Sequence, residues 1–261
     1  MEKMSRRKFL KLGTLCAAGV SAAAIGASSV ASAATTATTG TYQKNVKRLK
    51  GTAMGMVIDM REIDSEKIAE LQKVCHAFHN VPNVPNEKDE VKWIWAEKYV
   101  NLFAGETTER LAEKFADKDF VALCNHCESP VCVRVCPTKA TFTNDQGIVL
   151  MDMHRCIGCR NCMAACPYGA RSFNFVNPRD YLDEVNYAYP TRMKGVVEKC
   201  NFCAERVAVG QLPLCVEAAG GAISFGDLND PESKVSKLIA ENFTLQRKIN
   251  LGTKPKVYYI I

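Results

Sequence analysis

Thirteen cysteines stand in 261 residues, and their spacing carries more chemistry than any other feature of the chain. One run, Cys156-Ile-Gly-Cys159-Arg-Asn-Cys162-Met-Ala-Ala-Cys166-Pro167, fits C-x2-C-x2-C-x3-C-P at every position. A second, Cys124-Asn-His-Cys127-Glu-Ser-Pro-Val-Cys132-Val-Arg-Val-Cys136-Pro137, differs only by two residues inserted before Cys132. Three thiolates this close together wrap one face of an iron–sulfur cubane, with backbone N–H groups facing its sulfides. The fourth cysteine of each run points away and ligates the other cluster of a pair. The spacing therefore predicts site A at Cys124, Cys127, Cys132 and Cys166, and site B at Cys156, Cys159, Cys162 and Cys136.

A third group is incomplete. Cys200-Asn-Phe-Cys203 is followed after eleven residues by Cys215, and Ala219 stands where a fourth cysteine would fall. Cys75 supplies the missing thiol, which predicts site C at Cys75, Cys200, Cys203 and Cys215. Counting back from Cys75 with the same spacing lands on Ser65, Ile68 and Leu71. By the crossing rule, those three and Ala219 are the set that one further cluster would have used. All four are non-cysteine, while the complementary four are intact. The pattern implies one whole cluster lost and three [4Fe–4S] clusters kept.

Other uses of the thiols fit less well. Zinc ribbons place two C-x2-C pairs across a longer spacer and do not crowd four cysteines ahead of a proline. Disulfides suit an oxidising compartment, but C-x2-C-x2-C holds its thiols too close for long-range bridges. His76, His79, His126 and His154 all lie beside cysteine groups. Three complete thiolate sets leave them neighbours of the clusters or surface residues rather than ligands. Arg134, Arg155, Arg160 and Lys199 would raise cluster potentials if they point inward, and are solvated otherwise.

The first residues read as an address. Ser5-Arg6-Arg7-Lys8-Phe9-Leu10-Lys11 precedes an uncharged run rich in Ala, Gly and Ser, and Ala31-Ser32-Ala33 offers a cleavage site. The arginine pair resembles a twin-arginine (Tat) signal, whose translocase carries folded, cofactor-loaded cargo. Cleavage after Ala33 is expected over retention as an anchor, because Ala, Gly and Ser gain little in lipid. It would remove Cys16, leaving twelve cysteines. It would also take Lys+Arg from 34 to 29 and Asp+Glu from 28 to 27, so the formal charge drops from +6 to +2. Nothing then favours nucleic acid, since no basic stripe is interleaved with aromatics.

The elements that must hold the cysteines are less sharply marked. Residues 34–50 read as a linker. The pattern predicts strands over Met54 to Met60, Val91 to Trp95 and Ala222 to Phe225, and helices over Ser65 to Phe78 and Thr107 to Ala116. Val81-Pro-Asn-Val-Pro-Asn86 ends the first helix. The two tryptophans read as core packing. Asp230-Pro231-Glu232 reads as an N-cap, first-position proline and first-turn acid opening a helix to about Glu241. Lys256 to Ile261 reads as a terminal strand or docking tail. No long apolar pattern emerges, which predicts a fold organised around its clusters rather than hydrophobic layers.

With these motifs in place, residues 54–226 resemble the four-group ferredoxin-like electron-transfer subunits of complex iron–sulfur oxidoreductases, such as those of dimethyl sulfoxide and polysulfide reductases. The closest likeness is to the periplasmic DsrO-like subunits of Dsr-type sulfur and sulfate complexes, with Hme-type subunits an alternative. It is carried by Val91-Lys-Trp-Ile-Trp95, Cys124-Asn-His-Cys127, Val196-Val-Glu-Lys-Cys200-Asn-Phe-Cys203-Ala-Glu-Arg206, Phe225-Gly-Asp-Leu-Asn-Asp-Pro231 and Val257-Tyr-Tyr-Ile-Ile261. The resemblance implies an α+β fold of tandem ferredoxin-like 4Fe–4S domains with loop insertions and a C-terminal helix and tail. It implies an inner lobe at 123–195 and an outer lobe from 51–122 and 196–261. It further implies a non-catalytic relay bound to the periplasmic face, between a quinone-interacting NrfD-like membrane subunit near site B and another redox partner. The lost cluster corresponds to the end that faces a molybdopterin subunit, which turns the expectation toward a multihaem cytochrome c.

Overall fold

The computed structural model describes residues 47–105 and 107–261. The expected signal residues Arg6, Arg7 and Ala33, and most of the expected linker at 34–50, lie outside the described residues. The strands are β1 (Met54–Asp59), β2 (Ile94–Lys98), β3 (Asp119–Leu123), β4 (Thr141–Thr143), β5 (Val149–Met151), β6 (Ser172–Phe173), β7 (Val197–Glu198), β8 (Ile223–Asp227), β9 (Thr244–Leu245) and β10 (Val257–Ile260).

Four antiparallel pairs among these strands connect the cysteine groups in a closed cycle. β2 leaves Cys75 and pairs with β3, which leads into Cys124. β4 leaves Cys136 and pairs with β5, which leads to Cys156. β6 leaves Cys166 and pairs with β7, which leads to Cys200. β8 leaves Ala219 and pairs with β1, which leads back to the segment ending at Cys75. Each pair brings the exit of one group beside the entry of the next. This is how cysteines distant in sequence come to share a site. β10 extends the last pair by running parallel to β1, and β9 closes the edge, giving a four-stranded sheet in the order β8-β1-β10-β9. The C-terminal residues thus form a strand of the main sheet.

The segment before Cys75 is a continuous helix, α1 (Ser65–Phe78). Asp64 caps it by accepting a hydrogen bond from the Lys67 N–H at 2.7 Å. The other three groups are loops that each end in a single helical turn: α2 (Val131–Arg134), α3 (Asn161–Ala164) and α4 (Leu214–Ala218). In all three, the second residue of the turn is a cysteine: Cys132, Cys162 and Cys215. α5 (Lys234–Glu241) lies on β1 and β8, where Val235 packs with Val57 and Ile260.

Two expectations are corrected. The helix before Glu241 is capped by Ser233, whose Oγ accepts from the Ser236 N–H. Asp230 instead closes a turn of its own, taking the Glu232 N–H at 2.9 Å. Two capping signals lie three residues apart, and the later one starts the helix. An ordinary apolar core also exists. Trp93, Tyr99, Phe103, Phe120 and Tyr259 are all at most 1% exposed and belong to one cluster with the sheet. Tyr99 and Phe103 pack against Phe120, and Phe103 meets Tyr259 edge to face at 5.4 Å. The expectation of tryptophan packing holds for both rings, which are buried in that core. The predicted strand at 91–95 begins later, at Ile94, and the helix expected over 107–116 narrows to Glu109–Lys114. No helix of the described residues is long and apolar enough to cross a membrane.

Candidate metal centres

The opening C-x-x-C of each cysteine group bends the same way. The residue just before its second cysteine has positive φ: His126 at 41°, Gly158 at 70° and Phe202 at 56°. Only glycine takes that region without cost, so two of the three loops hold a strained residue that tertiary packing must enforce. His126 is held by stacking on Phe202 at 3.6 Å and by accepting the Val149 N–H at Nδ1. The bend turns backbone N–H groups toward sulfur: Phe202 N–H faces the Cys200 Sγ at 3.5 Å and Leu214 N–H the Cys203 Sγ at 3.4 Å.

Three cavities result, each walled by four cysteines. Cys124, Cys127, Cys132 and Cys166 line one. Cys136, Cys156, Cys159 and Cys162 line another. Cys75, Cys200, Cys203 and Cys215 line the third. These quartets are the ones the spacing assigns to sites A, B and C. All twelve thiols are free of disulfides. A surface groove beside Lys73, His76 and Asp183 holds no cysteine and lies apart from this chemistry.

The sites stand in the order B, A, C. Cys124 of A acts electrostatically on Cys200 of C, and Cys132 of A on Cys162 of B.

Their surroundings differ. All four thiols of C are buried, whereas Cys159 of B is exposed and Cys136 and Cys156 are half-buried. Burial pushes the Cys215 thiol up to about 12, and burial with neighbouring cysteines also pushes up the thiols of Cys75, Cys200 and Cys203. In A, burial and then Cys124 push Cys127 up to about 12. In B, burial raises Cys136, but N–H groups led by that of Thr141 outweigh it and hold the thiol below its usual range. Crowded buried thiols keep their protons unless a cation replaces them. The donor set therefore fits a thiophilic metal group.

The buried charges fit an anionic group. Among the described residues, Arg171, Arg192, Lys199, Arg247 and Lys256 are buried, against the single buried carboxylate of Glu198. Glu198 pairs with Arg192 at 2.5 Å. The remaining four cations have no carboxylate at ion-pair distance among the described residues. Burial lowers the Lys256 ammonium to about 8, and the charge of Cys127 opposes that. Four unpaired buried cations are costly unless an anion lies beside them, and a thiolate-ligated iron–sulfur group is one.

Around C, His79 stacks on Trp93 at 4.6 Å. Its Nδ1 meets the Cys75 carbonyl and its Nε2 the Glu205 carboxylate, each at 2.9 Å. The ligating atoms of His79, Cys203 and Glu205 lie within 4.8 Å of one another, but Cys203 also walls the four-thiol cavity. The Trp93 indole N–H donates to Glu198 at 2.8 Å. Of the other histidines, His126 is buried, His76 half-buried and His154 exposed. Of the four basic residues flagged in the sequence, Lys199 is buried and Arg134, Arg155 and Arg160 are exposed. Arg171 escaped that reading because it lies outside the cysteine runs. Aligning Cys136-Pro-Thr-Lys-Ala-Thr141 with Cys166-Pro-Tyr-Gly-Ala-Arg171 would have marked it, a cation replacing a hydroxyl.

Where a further cluster would sit, the positions are filled. Ser65 is exposed and donates to Asp119. Ile68, Leu71 and Ala219 are buried in the apolar core.

Comparison with known proteins agrees with this geometry. Residues 118–178 match the 4Fe–4S dicluster domain. The chain is 39% identical to the Hdr-like menaquinol oxidoreductase iron–sulfur subunit 1 of Archaeoglobus fulgidus, over 98% of this chain and 97% of that one. The chain belongs to the iron–sulfur electron-transfer subunits of quinone oxidoreductase complexes. Within this family it is also 32% identical to the iron–sulfur cluster-binding subunit of menaquinone reductase from Nitratidesulfovibrio vulgaris, over 79% of this chain and 88% of the other. The B subunit of polysulfide reductase from Wolinella succinogenes matches at 43% over 52% of this chain and 64% of its own length. Members of the family carry electrons for a complex and are not its catalytic subunits. The ferredoxin-like fold and its dicluster domain place this chain among them.

Proposed function

We propose that the chain holds three [4Fe–4S] clusters in the quartets Cys136/Cys156/Cys159/Cys162, Cys124/Cys127/Cys132/Cys166 and Cys75/Cys200/Cys203/Cys215, and passes single electrons along that order. The observation that carries this reading is the set of three cavities, each walled by four free thiols. When bound, such clusters supply one-electron carriers whose potentials their surroundings set. The protein's part is to fix the thiolates, exclude water from site C and supply buried positive charge. Four protein ligands at each site leave no position for substrate, so the chain conducts rather than reacts. In this reading 123–195 forms an inner ferredoxin-like lobe around A and B, and 51–122 with 196–261 forms the outer lobe around C.

The complex is read as quinone-linked, because two relatives that match most of this chain are named for menaquinol or menaquinone chemistry. An NrfD-like membrane subunit would meet the exposed side of B, and a multihaem cytochrome c would take the other end. A Dsr-type complex on the periplasmic face fits best, after export as folded cargo under the twin-arginine signal at 1–33. The likeness to the polysulfide reductase B subunit supports a molybdopterin-type complex as a second reading. Against it, Ile68, Leu71 and Ala219 fill the place of the cluster nearest such a partner.

Iron and sulfide analysis of the purified protein, with EPR of its reduced form, tests the reading. About twelve iron atoms per chain and three cubane signals are expected. Stoichiometric zinc with a silent spectrum would sink it.

A further inference from the structure

Two of the unpaired buried cations stand between sites rather than within one. Arg171 is 5% exposed. Its Nη1 donates to Thr141 Oγ1 at 3.2 Å and reaches the Met151 sulfur at 3.6 Å, while Nη2 has no hydrogen-bond partner. Arg171 lines cavity A and Met151 lines cavity B. Its charge acts on Cys132 and Cys124 of A and on Cys162 of B. Lys199 is 2% exposed and stands at the other junction. Its Nζ donates to the carbonyl of Val149, which walls cavity A, at 2.5 Å, and to that of Cys200, a thiol of C, at 2.8 Å.

We propose that Arg171 and Lys199 are the electrostatic bridges of the wire, Arg171 tuning A and B together and Lys199 tuning A and C together. This deepens the three-cluster reading and rests on it. An electron moving from one cluster to the next lowers the negative charge of the donor by one and raises that of the acceptor by one. A cation fixed between them favours the reduced form of each. Burial is what gives these two residues the role. Arg134, Arg155 and Arg160 also lie in the cysteine-rich region, but they are exposed, and water and salt screen them. Arg155 is further neutralised by Asp152 at 3.1 Å. Both bridges act through the clusters and are positioning residues, not ligands.

The pairwise pattern is the test. The potentials of the purified, cluster-loaded protein are measured by EPR-monitored redox titration, with each signal assigned by Cys75→Ser, Cys127→Ser and Cys159→Ser. Arg171→Gln is expected to shift the reduction equilibria of A and B at least tenfold toward oxidation, about 59 mV for a one-electron couple, and to leave C in place. Lys199→Gln is expected to shift A and C and leave B in place. Arg171→Lys and Lys199→Arg, which keep the charge, restore most of each shift, and Arg160→Gln moves B less than Arg171→Gln does. Should Arg171→Gln fail to retain iron, Thr141→Asp sets a carboxylate against the guanidinium and lowers the same two potentials. Unmoved potentials, or one equal shift of all three, overturn the proposal. Iron content reports on the three-cluster reading separately: full iron with unmoved potentials defeats only the bridges.

Discussion

The β3–β4 and β5–β6 connections hold two complete cysteine loops, whereas the β1–β2 connection holds α1, and the frame of strand pairs around them is otherwise alike. In the first region the loops bend at His126 and Gly158, and thiols wall a cavity. In the second, the chain before Cys75 takes fourteen residues of helix, and Ile68 and Leu71 pack where thiols would stand. Positive-φ bends are absent from α1. The same frame thus accepts either a cofactor or apolar side chains as its filling. What decides is whether the segment is a strained loop that needs metal to hold it or a helix that holds itself. Cys75 sits at the boundary: it belongs to the helix by backbone and to cavity C by side chain.

Two variants of α1, one helical turn apart, separate these fillings. Cys75→Ala removes a ligand of C and is expected to lower iron from about twelve atoms to about eight, with the signals of A and B kept. Loss of A or B alone would show that the quartets are wrongly paired. Leu71→Ala opens a void in the apolar filling and is expected to cost about 2–5 kcal/mol by denaturant unfolding, with iron content unchanged. Iron loss from Leu71→Ala would mean that the two fillings are not independent.

The smallest effect concerns the β8/β1 pair. Burial favours the protonated Asp227 carboxyl, but N–H groups of Thr52, Asn229 and Ala53 outweigh it and hold its pKa below the usual 3.8. A carboxylate depressed in the folded state contributes stability above its unfolded pKa and loses it as pH falls through the folded one. Asp227→Asn is therefore expected to lower stability at neutral pH and to narrow the gap to wild type below pH of about 4. A gap that stays constant with pH, read by thermal melts, would show that the charge is not what ties the strand.

The cysteine quartets were legible because ligation is local: thiolates that share a cubane must lie a few residues apart, and the crossing rule supplies the remainder. Helix α1 was legible from its apolar spacing and from the prolines after it. The core was not, because Trp93, Tyr99, Phe103, Phe120 and Tyr259 come singly from separate segments with no period joining them. The start of α5 was misread because Asp230 and Ser233 both carry capping chemistry, and only tertiary contact chooses between them. Ser233 wins by also donating its hydroxyl to the Asp227 carbonyl. Buried charge was the hardest feature to read. Lys199 and Arg160 look alike beside their cysteines, yet one is enclosed and the other reaches water.

The closed cycle of strand pairs also orders events in time. Every thiol of A and B lies between residues 124 and 166, so both sites have their full donor sets once that stretch has left the ribosome. Site C draws on Cys75 and on Cys215, which lie on either side of that stretch. In the three-cluster reading proposed above, its last ligand is synthesised long after its first, so Cys75 would wait unmetallated while A and B are already able to fill. Loading of C would then fasten the early part of the chain to the late part, and would make that site the closing step of maturation.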